Sequence, residues 1–130
     1  MLNPADYLQN CQVEIWSQQF AVVKSKYVPD DFVAVFHDKE EITVISEERH
    51  LNSNWVIEAE QGWRMLSFRV TLPFELVGFL AVVAQVLADA QISIFALSAY
   101  STDHLLIKNS DLTKAIHCLE SLGCMVMESP

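Results

Sequence analysis

The sequence has 130 residues, of which 52% are hydrophobic and 19% charged, and its formal net charge is -9. This length and composition allow one compact domain or two small units that share a core, and they exclude intrinsic disorder. No cluster of Lys and Arg occurs, so the acidic balance excludes nucleic-acid binding, which depends on basic residues, and disfavours anionic membrane surfaces.

The amino-terminal run and the cysteines bear on the cellular compartment. Residues 1–10, MLNPADYLQN, have neither a basic leader nor an apolar run, so we expect no secretory signal. The longest apolar stretch, residues 77–84, is shorter than the roughly 20 residues that span a bilayer. Cys11, Cys118 and Cys124 are odd in number and show no CxxC spacing, which predicts reduced thiols in a cytoplasmic protein.

The first half of the chain predicts β-strands. Short β-branched and aromatic runs lie at residues 12–16, 20–24, 32–37 and 41–46. Polar turn signals separate these runs, namely SQQ, PDD and HDKE. Residues 47–62 form a polar passage with one short strand around Trp55, and we interpret it as the link between the halves. No helix is predicted in this half.

The second half has a more regular pattern. Residues 63–71 alternate apolar and polar side chains, which predicts a strand with one solvated face. A helix is predicted over about 77–89, and its two polar residues, Gln85 and Asp89, share one narrow stripe because they are four apart. The run QISIFALS at residues 91–98 is apolar on both alternating faces, which predicts a central strand.

The remaining elements complete a familiar order. Residues 103–108 predict a strand, and DLTKAIHCLESLG predicts a helix that Ser110 caps and Gly123 stops. Residues 124–129 predict the last strand. From residue 63 onward the order is βαββαβ, the ferredoxin-like arrangement of four antiparallel strands with two helices on one face. We interpret the first half as a reduced copy of this unit, although no sequence repeat is visible.

The helix over about 77–89 is apolar around nearly its whole circumference. One thin sheet covers only one side of a helix, so the rest of its apolar surface predicts a contact with the first half or with a second subunit. The sequence therefore predicts an interface at this helix.

Three stretches resemble a known family, namely EITVISEERHL (41–51), VGFLAVVAQVLADAQISIFALSAYSTDHLLI (77–107) and the helix that follows. They are similar to small bacterial tandem ACT-domain proteins, which are relatives of the animal arginine sensors. The similarity covers roughly residues 12–127 and is specific in the second half. It implies an α+β, ferredoxin-like βαββαβ ACT fold with two units in tandem, a degenerate strand-rich unit at 1–61 and a complete ACT domain at 62–130.

The resemblance also implies a ligand site. ACT domains commonly bind an amino acid where the loop after the first strand of one unit meets a neighbouring unit. In this chain that loop is TLPFELVG, and the turn that faces it is SAYSTDH. The ligand-binding residues that the resemblance implies are Pro73, Phe74, Glu75, Val77, Gly78, Ser98, Tyr100, Ser101, Thr102 and Asp103.

Two positions of the turn depart from the family pattern. An acid and a tyrosine are usual where this chain has Ser101 and His104, whereas Thr102 and Asp103 match the pattern. Backbone N–H groups near Gly78, at a helix start, would receive the carboxylate of an amino acid, and the absent Cβ would let it come close. The carboxylate of Asp103, or the hydroxyl and carbonyl groups of Ser98 and Ser101, would accept from the ammonium group.

Each of these residues also has a simpler structural explanation. Gly78 serves equally well to let the helix pack tightly against a strand, and Asp103 serves to cap its own turn. Tyr100 and Ser101 are more often ordinary turn residues. Glu75 would favour a ligand with a basic side chain, but an acid in a loop is usually just solvated.

The sequence contains no motif for catalysis or for a metal site. The four His residues lack the i,i+4 or short Cys/His spacing of metal ligands, and no P-loop, GxSxG or GxGxxG motif occurs. We therefore expect no metal, no cofactor and no enzyme. The leading hypothesis is a regulatory cytoplasmic protein, pairing as a homodimer, that binds an amino acid at an interface between ACT units. The alternatives are a pairing module without a ligand and a small enzyme.

Overall fold

The structure is a computed structural model that describes residues 1–129. Within these residues it contains three α-helices and seven β-strands. In chain order the elements are α1 (Pro4–Leu8), β1 (Gln12–Ser25), β2 (Ala34–His37), β3 (Ile42–Glu47), β4 (Val56–Phe68), α2 (Phe79–Asp89), β5 (Ile94–Ser98), β6 (Asp103–Lys108), α3 (Leu112–Ser121) and β7 (Met125–Glu128). This content confirms the predicted α+β, ferredoxin-like class.

The chain divides into two compact units. The larger unit contains residues 1–17 and the chain from Arg64 onward, and the smaller unit contains residues 18–63. β1 and β4 are long strands, and each contributes one part to each unit. The sequence placed residues 1–17 with the first half, whereas in the structure they pack with the second.

The sheet of the larger unit follows the order β7, β1, β4, β6, β5. β7 pairs in parallel with the start of β1, with Gln12 opposite Met125, and β5 pairs antiparallel with β6. The βαββαβ order runs from β4 to β7 as predicted, but β1 enters the sheet as a fifth strand. It does so because its alternate residues Val13 and Ile15 are apolar and become fully buried.

The helices α2 and α3 close the core of the larger unit. α2 buries a stripe of Phe79, Val83 and Leu87, spaced four residues apart, and α3 contributes Leu119. The ring of Phe79 meets that of Phe68 on β4 edge to face, with centroids 5.5 Å apart. Each such fully buried side chain stabilises the fold by about 1.5–3 kcal/mol.

The predicted contact of α2 with the first half or with a second subunit stays a prediction. One side is exposed and carries Ala81, Gln85, Ala88 and Asp89, with the Gln85 amide donating to Asp89 Oδ1 at 2.7 Å. Alanine counts as apolar in the pattern but has little surface to remove from water, so a helix side built from it needs no partner.

Two strand predictions for the larger unit also need correction. β5 lies at the end of the strand order and not at its centre, and its residues are exposed or only partly buried. The strand predicted over residues 63–71 ends at Phe68, because the Val70 N–H donates to the Phe68 carbonyl at 2.9 Å and turns the chain.

The smaller unit is built from β2, β3 and the adjoining parts of β1 and β4. β3 pairs antiparallel with both β1 and β2. The core of the smaller unit contains Ala21, Val23, Val44 and Trp55. The predicted turn at residues 17–19 is absent, because these polar residues lie exposed within one continuous β1.

The predicted link over residues 47–62 is also largely ordered as secondary structure. A 3₁₀ turn at Glu48–His50 comes first, and β4 begins at Val56. Residues 57–61 are exposed, and three of them, Glu58, Glu60 and Gln61, are polar, so the stretch was interpreted as a linker. A strand stretch without a buried apolar face carries only a weak sequence signal that separates it from a loop.

Helix ends account for two further differences from the sequence predictions. α1 was not predicted, although Asn3 accepts from the Ala5 N–H at 3.0 Å and Pro4 takes the first helical position. At five residues it is too short to show a periodic pattern. The predicted Ser110 cap is wrong, since a 3₁₀ turn precedes α3 and its N-cap residue Asp111 makes no side-chain capping bond.

Candidate functional site

A cavity of about 360 Å³ lies in the larger unit, between the loop that precedes α2 and the turn that joins β5 to β6. Eight of the ten residues implied as ligand-binding line it, while Glu75 and Val77 do not. The eight are Pro73, Phe74, Gly78, Ser98, Tyr100, Ser101, Thr102 and Asp103. The structure thus brings the implied loop and the implied turn to one concave surface.

The apolar part of the cavity was not singled out from the sequence. It is formed by the side chains of the loop and of the first turn of α2, and Ala99 adds to it from the turn. These additional lining residues are Leu72, Leu76, Phe79, Leu80, Ala81 and Ala99. The sequence signal for these lining residues was the apolar start of α2, which was interpreted as part of the core and of an interface and not as part of a ligand site.

Gly78 shapes the start of α2. Its φ of 92° lies in the left-handed region, where residues with a Cβ are strained, and its carbonyl accepts the Val82 N–H at 3.0 Å. A Cβ at this position would lie 3.7 Å from Pro4 Cγ, which is an ordinary contact. Glycine is therefore required here by its backbone angle, and the space beside it faces α1.

The first turn of α2 offers donors to the cavity. The first bond within the helix is made by Val82, so the N–H groups of Phe79, Leu80 and Ala81 have no partner within the helix. Gly78 supplies no capping side chain. These three residues line the cavity, and the helix dipole makes such an end favourable for a negative group.

The turn that forms the other wall is tied down by hydrogen bonds. The Ala99 N–H donates to the Thr102 carbonyl, and the Leu72 N–H donates to the Ser101 carbonyl, both at 2.8 Å. The second bond joins the turn directly to the loop before α2. The cavity is therefore held open by backbone contacts and not by its side chains alone.

Asp103 provides the charge of the cavity. The Ser98 hydroxyl donates to its Oδ1 atom at 2.6 Å, which fixes the carboxylate in place. Among the lining residues in the described part of the chain, Asp103 is the one acid, and none is Lys or Arg. The cavity thus combines a positioned carboxylate with a helix start.

A chain of hydrogen bonds connects this turn to the interior. The Trp16 indole N–H donates to Ser67 Oγ at 2.7 Å, and Ser67 Oγ lies 2.6 Å from His104 Nδ1. The other ring nitrogen, Nε2, lies 3.3 Å from Thr102 Oγ1. A neutral imidazole carries one proton, so one ring nitrogen of His104 donates while the other accepts, and the ring links Ser67 to Thr102 in either tautomer.

The environment of His104 favours this neutral ring. Burial lowers the pKa of His104 below its ordinary value, the charge of Arg69 lowers it further, and Asp103 opposes both effects. His104 occupies the place where the related pattern has a tyrosine. His104 does not line the cavity, but it contacts the side chain of Thr102, which does.

Exposed apolar side chains lie at the cavity and in the loop before α2. Phe74 and Tyr100 line the cavity and are 74% and 82% exposed, and Val77, beside Gly78 in the same loop, is 81% exposed. We call these three residues the apolar rim. The rings of Phe74 and Tyr100 meet edge to face with centroids 4.9 Å apart. Three large apolar side chains this exposed at one place are typical of a surface that contacts a ligand or a partner.

Residues 1–129 lack two further features. No group of three or more His, Cys, Asp or Glu side chains is placed so that it could hold a metal ion. No helix in the same residues has the length and apolar character needed to cross a membrane.

Comparisons with known proteins bear on the fold and the family. The structure resembles that of a protein from Agrobacterium tumefaciens, with a TM-score of 0.80 and 20% identity, covering 93% of this chain and 95% of that one. A Vibrio cholerae protein of unknown function gives a TM-score of 0.74 at 20% identity, covering 92% and 94%. At these identities the likeness establishes the fold alone. The sequence matches none of the curated proteins significantly.

A third structure with a similar fold is that of a regulatory subunit. The regulatory subunit of aspartate kinase from Thermus thermophilus gives a TM-score of 0.61 at 9% identity, covering 88% of this chain and 98% of that one. The sequence model of the ACT domain matches residues 58–121, which include α2, β5, β6 and the whole candidate cavity. These matched residues, slightly under half of the chain, are thus similar in sequence to the ACT domain.

Proposed function

We propose that the protein is a non-enzymatic regulatory protein that binds a free amino acid in the cavity of its larger unit. The ligand carboxylate would accept from the N–H groups at the start of α2, and the ligand ammonium would donate to Asp103. One observation carries the proposal: a helix start and a single positioned carboxylate share a cavity of about 360 Å³, within the size range of small-molecule sites.

The walls of the cavity favour a ligand with an uncharged side chain. A basic side chain would need a second acid, and Glu75, the candidate for that role, does not line the cavity. The remaining walls are largely apolar, with Leu72, Leu76 and Leu80 among them. We therefore propose an aliphatic or aromatic amino acid, in preference to arginine or lysine.

A thermal-shift screen of the purified protein against the twenty amino acids tests the proposal. A ligand that binds only the folded state stabilises it by about 2.7 kcal/mol at a concentration 100-fold above its Kd, which raises the melting temperature. A rise for one or a few amino acids with apolar side chains is the expected result. A flat panel at millimolar concentrations would contradict ligand binding, and a response to basic amino acids alone would contradict the side-chain assignment.

The variant Asp103→Asn separates binding at this cavity from binding elsewhere. A hydrogen bond between charged groups contributes about 1.5–3 kcal/mol, so the affinity should fall about 10- to 150-fold. Asp89→Asn is the matched control, because Asp89 is an exposed acid at the end of α2 outside the cavity. Equal affinities of the two variants would exclude Asp103 from the site.

We further propose that the apolar rim meets a second copy of the chain, so that the ligand lies at an interface between ACT units. The exposure of Phe74, Val77 and Tyr100 supports this pairing, because the rim gains most when it is removed from water. Ligand binding would then shift the population of paired chains, which a partner protein reads. Analytical ultracentrifugation with and without the ligand should detect the change.

The rim also supports a second candidate function, a pairing module that binds no ligand. This candidate predicts a stable dimer and no response to any amino acid. Tyr100→Ser would weaken the dimer under both hypotheses. With an amino acid present, Asp103→Asn would weaken the dimer of an amino-acid-binding protein, but it would leave the dimer of a ligand-free module unchanged. The effect of Asp103→Asn on pairing therefore separates the two functions.

We also propose that the smaller unit is a degenerate, strand-rich partner of the ACT fold. The division of the chain into two compact units supports this hypothesis. The smaller unit contains residues 18–63, in place of the residues 1–61 expected from the sequence. Native-state hydrogen exchange would test it, because two units with separate cores are expected to open with distinct free energies. A single common opening energy across both units would contradict it.

A further inference from the structure

Two cysteines that are distant in sequence meet in the larger unit. Cys11 immediately precedes β1 and Cys124 immediately precedes β7, two strands that pair in parallel from Gln12 and Met125 onward. The Met125 N–H donates to the Cys11 carbonyl at 2.7 Å, which extends the ladder back to the cysteines. Cys11 and Cys124 therefore occupy neighbouring positions on adjacent segments.

Both side chains are buried in the same hydrophobic core of the larger unit. The Cys11 S–H donates to the Gln12 carbonyl at 3.7 Å. A side-chain hydrogen bond with Cys124 lowers the pKa of Cys11 and outweighs the opposing effect of burial, whereas the same bond and burial raise the pKa of Cys124. Cys11 is thus the better nucleophile, and Cys124 is its natural resolving partner.

We propose that Cys11 and Cys124 are a redox-sensitive pair that forms a reversible disulfide when the protein meets a peroxide. The Cys11 thiol attacks one oxygen of hydrogen peroxide, giving Cys11 sulfenic acid and one water. The Cys124 sulfur then displaces the hydroxyl from the Cys11 sulfur, which releases a second water and leaves the disulfide. Two thiols are oxidised, and one peroxide is reduced to two waters.

The consequence of the bond follows from where it lies. It would fix the segment before β1 to the segment before β7, and so close a loop of almost the entire chain. α1 ends three residues before Cys11, and Pro4 on α1 lies beside Gly78 at the cavity. The disulfide would therefore hold α1 in place at the start of α2. This proposal does not depend on the proposed ligand.

Peptide mapping under non-reducing conditions tests the proposal. The full-length protein is treated with hydrogen peroxide, digested and analysed by mass spectrometry, with and without dithiothreitol. Cys118→Ser is the matched control, because Cys118 is a free cysteine on α3. The expected result is a Cys11–Cys124 cross-link in the wild type and in Cys118→Ser, fully reversed by dithiothreitol.

Unfolding in urea gives a second readout. Oxidation should move the unfolding midpoint to higher urea in the wild type and in Cys118→Ser, and dithiothreitol should reverse the shift. Neither Cys11→Ser nor Cys124→Ser should show the shift. A cross-link that includes Cys118, the absence of any cross-link, or irreversible oxidation of the single thiols would each overturn the proposal. The wild-type peptide map decides the matter even if the serine variants fail to fold.

Discussion

Ser67 offers the sharpest test of how the candidate site is supported. Its side chain is fully buried, accepts from the Trp16 indole at 2.7 Å and bonds His104 Nδ1 at 2.6 Å. Ser67→Ala removes both bonds, each contributing about 1 kcal/mol, and leaves the His104 Nδ1 atom without this partner, at a further cost of about 1–3 kcal/mol. We expect the free energy of unfolding to fall by about 3–5 kcal/mol.

The matched control is Ser46→Ala. Ser46 is also fully buried, but its hydroxyl makes one local bond, to the Glu47 carbonyl at 3.0 Å, so its loss should cost about 1 kcal/mol. Urea unfolding followed by tryptophan fluorescence measures both variants. If Ser67→Ala is no more destabilising than Ser46→Ala, the chain from Trp16 to Thr102 does not contribute as a connected network, and the reasoning fails.

Two further predictions follow from the same region. Gly78→Ala should lower the free energy of unfolding in urea by about 1–2 kcal/mol, because alanine is strained at this left-handed backbone angle. Gly62→Ala is the control and should cost about the same, since Gly62 has a φ of 87° and no atom within 4 Å of the added Cβ. A much larger loss for Gly78→Ala would indicate a steric role. Because the folded-state pKa of His104 lies below the ordinary value of 6.5, the unfolded chain takes up a proton first as the pH falls, so this contribution to stability is complete above pH 6.5 and decreases below it. His104→Gln should remove that component from a pH series of melting temperatures, and an unchanged slope would contradict the assignment.

The second half of the fold was predictable because its elements carry strong periodic signals. Residues 103–108 were predicted as a strand with the bounds that β6 has, and α2 begins within two residues of its predicted start. The α3 helix was predicted for the same reason. Short or exposed elements were missed, since α1 has five residues and the exposed part of β4 has no buried face.

Topology was less accessible to the sequence than secondary structure. That β7 pairs with β1 depends on which strand edges meet in three dimensions, and local pattern does not encode this. The edge position of β5 was missed for a related reason. A run that is apolar on both faces reads as central, although Ala96 and Ser98 are small enough to be exposed at an edge.

The candidate site was predictable only through the resemblance. Thr102 and Asp103 lie with Gly78 in one cavity, but the residues themselves carry no catalytic or metal motif that would have marked them. The neighbouring placement of Cys11 and Cys124 was not foreseen, because pairing across most of the chain depends on the fold. The support that His104 gives to Thr102 depends equally on packing around Ser67.

The central claim is that an amino acid occupies the cavity between the loop before α2 and the turn after β5. Hydrogen exchange with and without the amino acid that gives the strongest thermal shift tests it most directly, because bound backbone N–H groups exchange more slowly. The account predicts new protection concentrated in residues 78–81 and 98–103, and its loss in Asp103→Asn. Protection confined to residues 18–63, or binding without protection in either cavity segment, would contradict it.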